Sequence, residues 1–280
     1  MRYQKAPPGW SYTDANPFTP DGSYGLEWSS FCILDKGDDQ FVTGKSGDGP
    51  FSARFGRRVE HLETRLIDFL RYENAQGRIV ILSFPGDIDI DCYVTQALSR
   101  MPNPDAVRPD DPAIIIHSTT LDAWEKISTD GQLKAASELS QQARIVDCLS
   151  EVAHYLENEP PEYRDYIMFG TIASTTPEKI VASYQAGRFI LDDDAVYEPG
   201  VRLYFDNRRM IGDGQAVRDG LHTVKVYKRL SLSPYLLAVI GVSDLDPQRE
   251  VKMWTPRLFV ERADQAFWSY QATHREAGGG

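Results

Sequence analysis

Apolar positions along the chain change period several times, and each change predicts an element. Between residues 57 and 76, Val59, Leu62, Leu66, Phe69 and Leu70 recur at steps of three and four. That spacing predicts a helix, stopped by Gly77. Arg78 to Phe84 is a short apolar run closed by Pro85-Gly86 and predicts a strand. Asp91 to Arg100 reads as a second helix. Asp87, Asp89 and Asp91 alternate with isoleucines, which predicts a polar-out edge after the strand. Residues 1–50 show no period. They are rich in Gly, Pro, Asp and Ser, and their scattered aromatics predict a wrapped arm or loops. The proline- and aspartate-rich stretch from Met101 to Pro112 is the predicted linker.

Beyond the linker the pattern is a tighter alternation of strands and helices. Ala113 to Ile116 predicts a buried strand. His117-Ser118-Thr119-Thr120 turns the chain into a helix from Leu121 to Ser128, with Thr120 as its N-cap. Ala143 to Leu156 predicts a further helix. Tyr166 to Phe169 predicts a strand, and Thr176-Pro177-Glu178 starts a helix that runs to Ala186 and stops at Gly187. Arg202 to Phe205, Thr223 to Val226 and Leu236 to Val242 predict strands, and Trp254 to Val260 is expected to add another. The expected organisation is an α/β region over 1–112, an α+β domain over 113–265 and a tail over 266–280.

Composition narrows the class. The chain has 280 residues, 41% hydrophobic and 25% charged, an ordinary globular balance that supports a sizeable core. No apolar run approaches the roughly 18 residues that span a bilayer, and no membrane partner is expected. The N-terminal residues lack the apolar core of a secretory signal. Cys32, Cys92 and Cys148 have neither metal-ligand spacing nor an even count, which predicts free thiols in a reducing, cytoplasmic compartment. The net charge of −11 argues against a broad phosphate-coating surface but leaves room for a local basic pocket. The run Asp192-Asp193-Asp194 lacks the spacing of a calcium loop and reads as a solvated turn, so no metal is expected. His61 reads as a solvated residue on the polar side of the first helix.

Four segments in fixed order carry a resemblance. They are Ile116-His117-Ser118-Thr119 with Ala123-Trp124-Glu125-Lys126-Ile127 and Gly131; Arg164-Asp165-Tyr166-Ile167-Met168-Phe169-Gly170; Arg202-Leu203-Tyr204-Phe205-Asp206 with Met210 and Asp213-Gly214; and Ala216-Val217-Arg218-Asp219-Gly220 leading to Val224 and Leu232-Ser233-Pro234-Tyr235-Leu236. This order resembles the RNA 2′-phosphotransferases, of the ADP-ribosyltransferase-like superfamily, over about 130 residues. The resemblance implies an ADP-ribosyltransferase-like split antiparallel sheet. It also implies a transferase that moves a 2′-phosphate from RNA or tRNA to NAD with release of nicotinamide. The chain departs from the family at three points. No Arg-His pair occurs in residues 1–112, Tyr166 and Met168 replace two histidines, and Ser118 stands where Gly is usual. A late-strand glutamate of the protein-modifying ADP-ribosyltransferases is absent from Leu236 to Val242, which favours the phosphotransferase-like branch.

By that resemblance His117, Arg164 and Arg218 are the catalytic candidates. His117, Ser118 and Thr119 would contact NAD, with Tyr166 or Tyr184 as options for stacking on nicotinamide. Arg164 and Arg218 would clamp the phosphate through bidentate bonds, with His222 beside them. The alternative for each is structural: a core histidine at 117, surface arginines in an acidic chain, a core tyrosine at 184, a turn histidine at 222. Two other functions stay open. One is a divergent tRNA- or nucleotide-directed transferase on the same fold without NAD chemistry. The other is a non-catalytic binding module.

Overall fold

The computed structural model describes residues 1–35, 40–101, 103, 105–139, 159–245 and 251–277, with side chains of the last helix as far as residue 273. The architecture is mixed α+β, and the chain divides into two compact units. The first takes Met1–Ala106, Arg218–His222 and the described part of Tyr155–Tyr163. The second takes the described parts of Val107–His154, Arg164–Val217 and Thr223–Gly280. No described helix is long and apolar enough to cross a membrane.

The first unit is built on a five-stranded sheet in the order β1-β5-β2-β4-β3. Its elements are β1 (Tyr3–Lys5), β2 (Trp28–Leu34), β3 (Phe41–Gly44), β4 (Phe51–Gly56), α1 (Leu62–Ala75), β5 (Ile79–Ser83) and α2 (Ile90–Ser99). All neighbours are parallel except β3, which runs antiparallel to β4 at one edge. Phe69 of α1 and Phe55 of β4 both lie on Phe31 of β2, at ring distances of 5.6 and 4.6 Å. Residues 1–50 therefore hold three strands, where loops or an arm are expected from the sequence. The cause is burial on both faces. Nearly every residue of β2 is buried, including Ser29 and Ser30, so no alternation marks the strand. Ser30 stays inside because its hydroxyl donates to Ser52 across the sheet at 2.7 Å. The aspartates after β5 also differ from expectation. Asp89 is the N-cap of α2, accepting from the Cys92 amide at 2.7 Å, and Asp91 lies in its first turn. His61 precedes α1 in a left-handed conformation, φ 59°.

The second unit comprises β6 (Ile114–Thr119), α3 (Leu121–Asp130), β7 (Gln132–Lys134), β8 (Tyr166–Thr171), α4 (Thr176–Ala186), β9 (Val201–Asp206), α5 (Asn207–Gly212), β10 (Ala216–Val217), β11 (Val224–Tyr227), β12 (Arg229–Ser231), β13 (Leu236–Gly241) and α6 (Pro256–Ala277). Six strands form an antiparallel sheet in the order β10-β11-β8-β6-β9-β13, and β12 pairs with β7. Each face carries its own core. One holds Ile115, Ile167, Phe169, Leu203, Phe205, Val224 and Val226. The other holds Ile116, Tyr204 and Ile240 under Val181 and Ala182 of α4 and Phe259, Ala263 and Phe267 of α6. The strand expected over Trp254 to Val260 is instead the approach to α6 and its first turn, and the residues expected to form a tail continue that helix. Short apolar runs do not separate strand from helix. The four-residue step from Phe259 through Ala263 to Phe267 does, and all three are fully buried. The helix expected over 143–156 lies outside the described residues.

One feature of this sheet positions the site. β6 pairs with β9 along its whole length, from Ile114 to Thr119, and β8 pairs with β11 along four residues. Between them, β6 and β8 share only two register pairs, Ile115 with Thr171 and Ile116 with Gly170. The sheet is thus two three-stranded halves joined at a short seam.

Candidate functional site

The seam ends at His117. The backbone ladder stops at Ile116, and the imidazole takes up the next contact, with Nδ1 lying 3.2 Å from the Met168 carbonyl oxygen. A carbonyl only accepts, so Nδ1 carries the proton. Burial pushes the imidazole below its ordinary pKa, and the bond to Met168 only partly offsets this. The ring is therefore neutral near pH 7, with an acceptor lone pair on Nε2. It lies tilted against Phe169 at 5.8 Å, on the face that carries Ile115 and Ile167.

The turn around His117 is fixed from both sides. Thr120 caps α3 by accepting from the Ala123 amide at 3.3 Å, and Gly131 ends that helix at φ 66°. Where β9 begins, a Cβ on Gly200 would sit 1.9 Å from the Thr119 carbonyl oxygen, so only glycine allows this approach. Ser118 and Thr119 are both buried. The Ser118 hydroxyl points away from His117, to the other face of the sheet, and donates to Glu178 of α4.

Glu178 belongs to a buried ionic network that the sequence reading missed. It also accepts from Tyr197 at 3.1 Å and from Arg202 Nη1 at 3.2 Å. Arg202 is 0% exposed. Its Nε donates to Asp264 of α6 at 2.9 Å, and its Nη1 donates to the Ser174 carbonyl at 3.3 Å. Asp264 accepts in addition from Tyr204 at 2.8 Å and from the Ala173 amide at 2.9 Å, where the backbone is left-handed at φ 65°. Two carboxylates share one guanidinium. Burial pushes the Glu178 carboxyl upward, against the pull of Arg202 and the bonds from Ser118 and Tyr197. One signal of this network was available. Arg202 interrupts the apolar run Val201-Arg202-Leu203-Tyr204-Phe205, and a charge in such a run needs a buried partner.

The other candidates lie as follows. Arg164 is exposed, in the 3-10 turn Pro161–Asp165 that leads into β8. Tyr166 alternates with Ile167 and Phe169, so its ring projects from the face opposite to His117, where it meets Tyr227 at 5.4 Å. Tyr184 is 37% exposed and turned from the buried side of α4, formed by Pro177, Glu178, Val181, Ala182 and Ser183. Ser118, Thr119 and His117 are contiguous, yet of the three only His117 is half-buried, while Ser118 and Thr119 are buried.

Arg218 and His222 fall in the first unit. Arg218 donates to the Ala106 carbonyl at 3.0 Å. His222 Nδ1 meets Asp219 Oδ2 at 2.8 Å, and its ring lies against Tyr163 at 5.5 Å. Asp219 is fully buried and also accepts from the amides of Leu221 and His222, each at 2.9 Å. Between them Gly220, at φ 74°, lies so close to α1 that a Cβ would be 2.1 Å from the Arg65 carbonyl oxygen. The segment is a closely fitted turn of the first unit. Asp193 and Asp194, from the acidic run, pair with Lys179 and Arg257 respectively, each at 2.9 Å. Among the described residues no cluster of three or more His, Cys, Asp or Glu side chains is placed to hold a metal ion.

Comparison with family models, with curated proteins and with solved structures gives no match for this chain. The site stands on its geometry.

Proposed function

We propose that the second unit is an NAD-dependent transferase of the RNA 2′-phosphotransferase type, with an ADP-ribosyltransferase-like split sheet. The observation that supports this most is the two-pair seam between β6 and β8, with a neutral histidine at its end. A strand pair that parts beside a strand-to-helix turn leaves backbone and side-chain polar atoms facing a ligand rather than each other. The His117 Nε2 lone pair accepts from a ribose hydroxyl. The network through Ser118 and Glu178 fixes the turn that aims it.

In this proposal a 2′-phosphate oxygen of RNA attacks the anomeric carbon of the nicotinamide ribose. The glycosidic C–N bond breaks, and nicotinamide leaves neutral with the bonding electron pair. The neighbouring ribose hydroxyl then attacks phosphorus, the RNA oxygen departs with a proton, and an ADP-ribose cyclic phosphate forms. The nucleophile arrives already charged, so the protein has to position it more than activate it. Arg164, exposed at the start of β8, is the second-unit guanidinium assigned to the phosphate.

The test is nicotinamide release from NAD in the presence of 2′-phosphorylated RNA. The expected outcome is RNA-dependent release, lowered roughly tenfold or more in His117→Ala, the loss of one well-placed hydrogen bond. A folded protein that releases no nicotinamide overturns the proposal. A second reading, a nucleotide-directed transferase without NAD chemistry, is favoured by one observation. Ser118 and Thr119 are buried and Tyr166 projects from the other face, so fewer groups than the family pattern implies meet NAD. It predicts a nucleotide-induced rise in Tm with no nicotinamide released.

A further inference from the structure

An arginine of the first unit lacks the partner that the fold gives its other inward charges. Strand β4 reads Phe51-Ser52-Ala53-Arg54-Phe55-Gly56, and all of it is buried except Arg54, which is half-buried. Arg202 interrupts the apolar run of β9 in the same way, and there Glu178 and Asp264 meet the charge. A charge drawn into such a strand has to be compensated. Arg57, just past the end of β4, pairs with Asp35 at 2.6 Å and Asp87 at 2.7 Å. Arg78 pairs with Glu73 and Glu162, each at 2.5 Å. Arg54 has no hydrogen-bond or ion-pair partner among the described residues, and its Nε is buried without an acceptor.

The polar groups around Arg54 are committed elsewhere. In register, Cys32 of β2 and Val42 of β3 flank it, and Ser30 and Ser52 lie on the same face of the sheet. Ser30 donates to Ser52 at 2.7 Å, and Ser52 donates to the Pro50 carbonyl at 3.1 Å. The Cys32 thiol donates to Ser30 at 3.9 Å. Burial pushes that thiol up to about 12, against the pull of Ser30 and Arg54. At neutral pH it is uncharged and supplies no counter-ion.

What holds the guanidinium is an aromatic face. Its Cζ lies 4.5 Å from the centroid of the Tyr12 ring. Tyr12 is fixed in turn. A Cβ on the buried Gly49 would be 2.6 Å from the Tyr12 carbonyl oxygen, so the N-terminal segment sits directly on the loop between β3 and β4. Asp14 closes the turn that carries Tyr12. Its amide donates to the Ser11 carbonyl at 2.9 Å, and its Oδ2 accepts from the Ser11 amide at 2.7 Å. Stacking occupies the face of the guanidinium and leaves the N–H groups in its plane without acceptors. Of its three nitrogens only Nε is enclosed, so the plane opens outward through the Nη atoms.

We infer that Arg54, held on Tyr12, anchors an oxyanion-binding site of the first unit that takes one carboxylate or phosphate group of a small molecule. Two oxygens of such a group accept from Nε and its neighbouring Nη in parallel, which supplies both the missing acceptor and the missing charge. One guanidinium matches one group, and the net charge of −11 disfavours an extended run of phosphates. Because the guanidinium and the ring are already placed, little ordering is lost on binding. The site involves neither His117 nor NAD chemistry.

The test follows the Arg54 Nε–H resonance in proton–nitrogen correlation spectra of the full chain, titrated separately with sodium phosphate and sodium acetate at constant ionic strength. Absence of the peak in Arg54→Lys, which keeps the charge and the stem, assigns it. The expected result is a saturable shift with at least one of the two anions, and binding weakened roughly tenfold or more in Arg54→Lys, where the bidentate pair is lost. A shift with phosphate alone identifies a phosphate-bearing ligand, and a shift with acetate alone a carboxylate. No saturable shift with either anion, or the same shift with sodium chloride, overturns the inference. The anion that saturates the peak is also expected to raise the Tm of wild type and not that of Arg54→Met. An equal rise in the variant overturns it as well. The spectra of wild type decide the matter even where a variant fails to fold. Neither readout uses NAD, so failure here is distinct from failure of the transferase proposal.

Discussion

His117 shows how one hydrogen bond fixes a residue's chemistry. Because the Met168 carbonyl can only accept, the imidazole tautomer is set, and burial keeps the ring neutral. This has a consequence for stability. In the unfolded chain the group titrates near its ordinary 6.5, while in the fold it titrates lower. Below 6.5 the unfolded chain therefore binds more protons, and stability falls as pH drops until the folded value is passed. Urea denaturation between pH 7.5 and 5.5 is expected to give a steeper loss for wild type than for His117→Gln. Parallel profiles contradict the assignment. Glu178 has the opposite sign. Its carboxyl is raised from 4.5, so its contribution is lost as pH rises through the folded value, and Glu178→Gln removes that slope. The sequence singled out His117 because it closes an apolar strand before a capped helix. It gave no comparable signal for Glu178, which looks like any acidic residue in a helix first turn. Nor did it show that Ser118 faces away from its neighbour, since His117 and Ser118 point to opposite faces only once the strand is known to continue to Thr119.

At the scale of elements, what was legible depended on periodicity. The β6-turn-α3 unit was visible because an apolar strand, the Thr120 cap and the Gly131 stop agree in one short stretch. The strands of the first unit were not, because burial on both faces erases alternation and serines satisfy one another inside the sheet. Helix α6 was hidden behind a short apolar run. It anchors its face of the six-stranded sheet through Phe267, which stacks on Tyr204 at 4.1 Å with the rings within 1° of parallel. The same helix supplies Asp264 to Arg202, so its docking bears on the network beneath the His117 turn. Phe267→Ala is expected to cost about 3–5 kcal/mol, the usual loss for a buried phenylalanine. Chemical denaturation measures it. A loss below about 1 kcal/mol means that α6 does not hold this core.

For the whole molecule, the sequence divides the chain near residue 112, and the compact units follow a different logic. The first takes back two later segments, including Arg218–His222, and with them two of the residues the family pattern assigns to phosphate binding. Long-range returns of this kind leave no local trace. Gly220, which a Cβ would drive into the Arg65 carbonyl, is distinguishable from any turn glycine only in three dimensions. Of the three catalytic candidates, His117 and Arg164 belong to the second unit, with His117 at the end of its seam. Calorimetric titration of NAD into the full chain tests the proposed site most directly. The predicted result is one NAD bound per chain, with affinity reduced tenfold or more in His117→Ala while the variant stays folded. Wild-type protein that is folded and takes up no NAD, or a variant that binds as tightly as wild type, contradicts it.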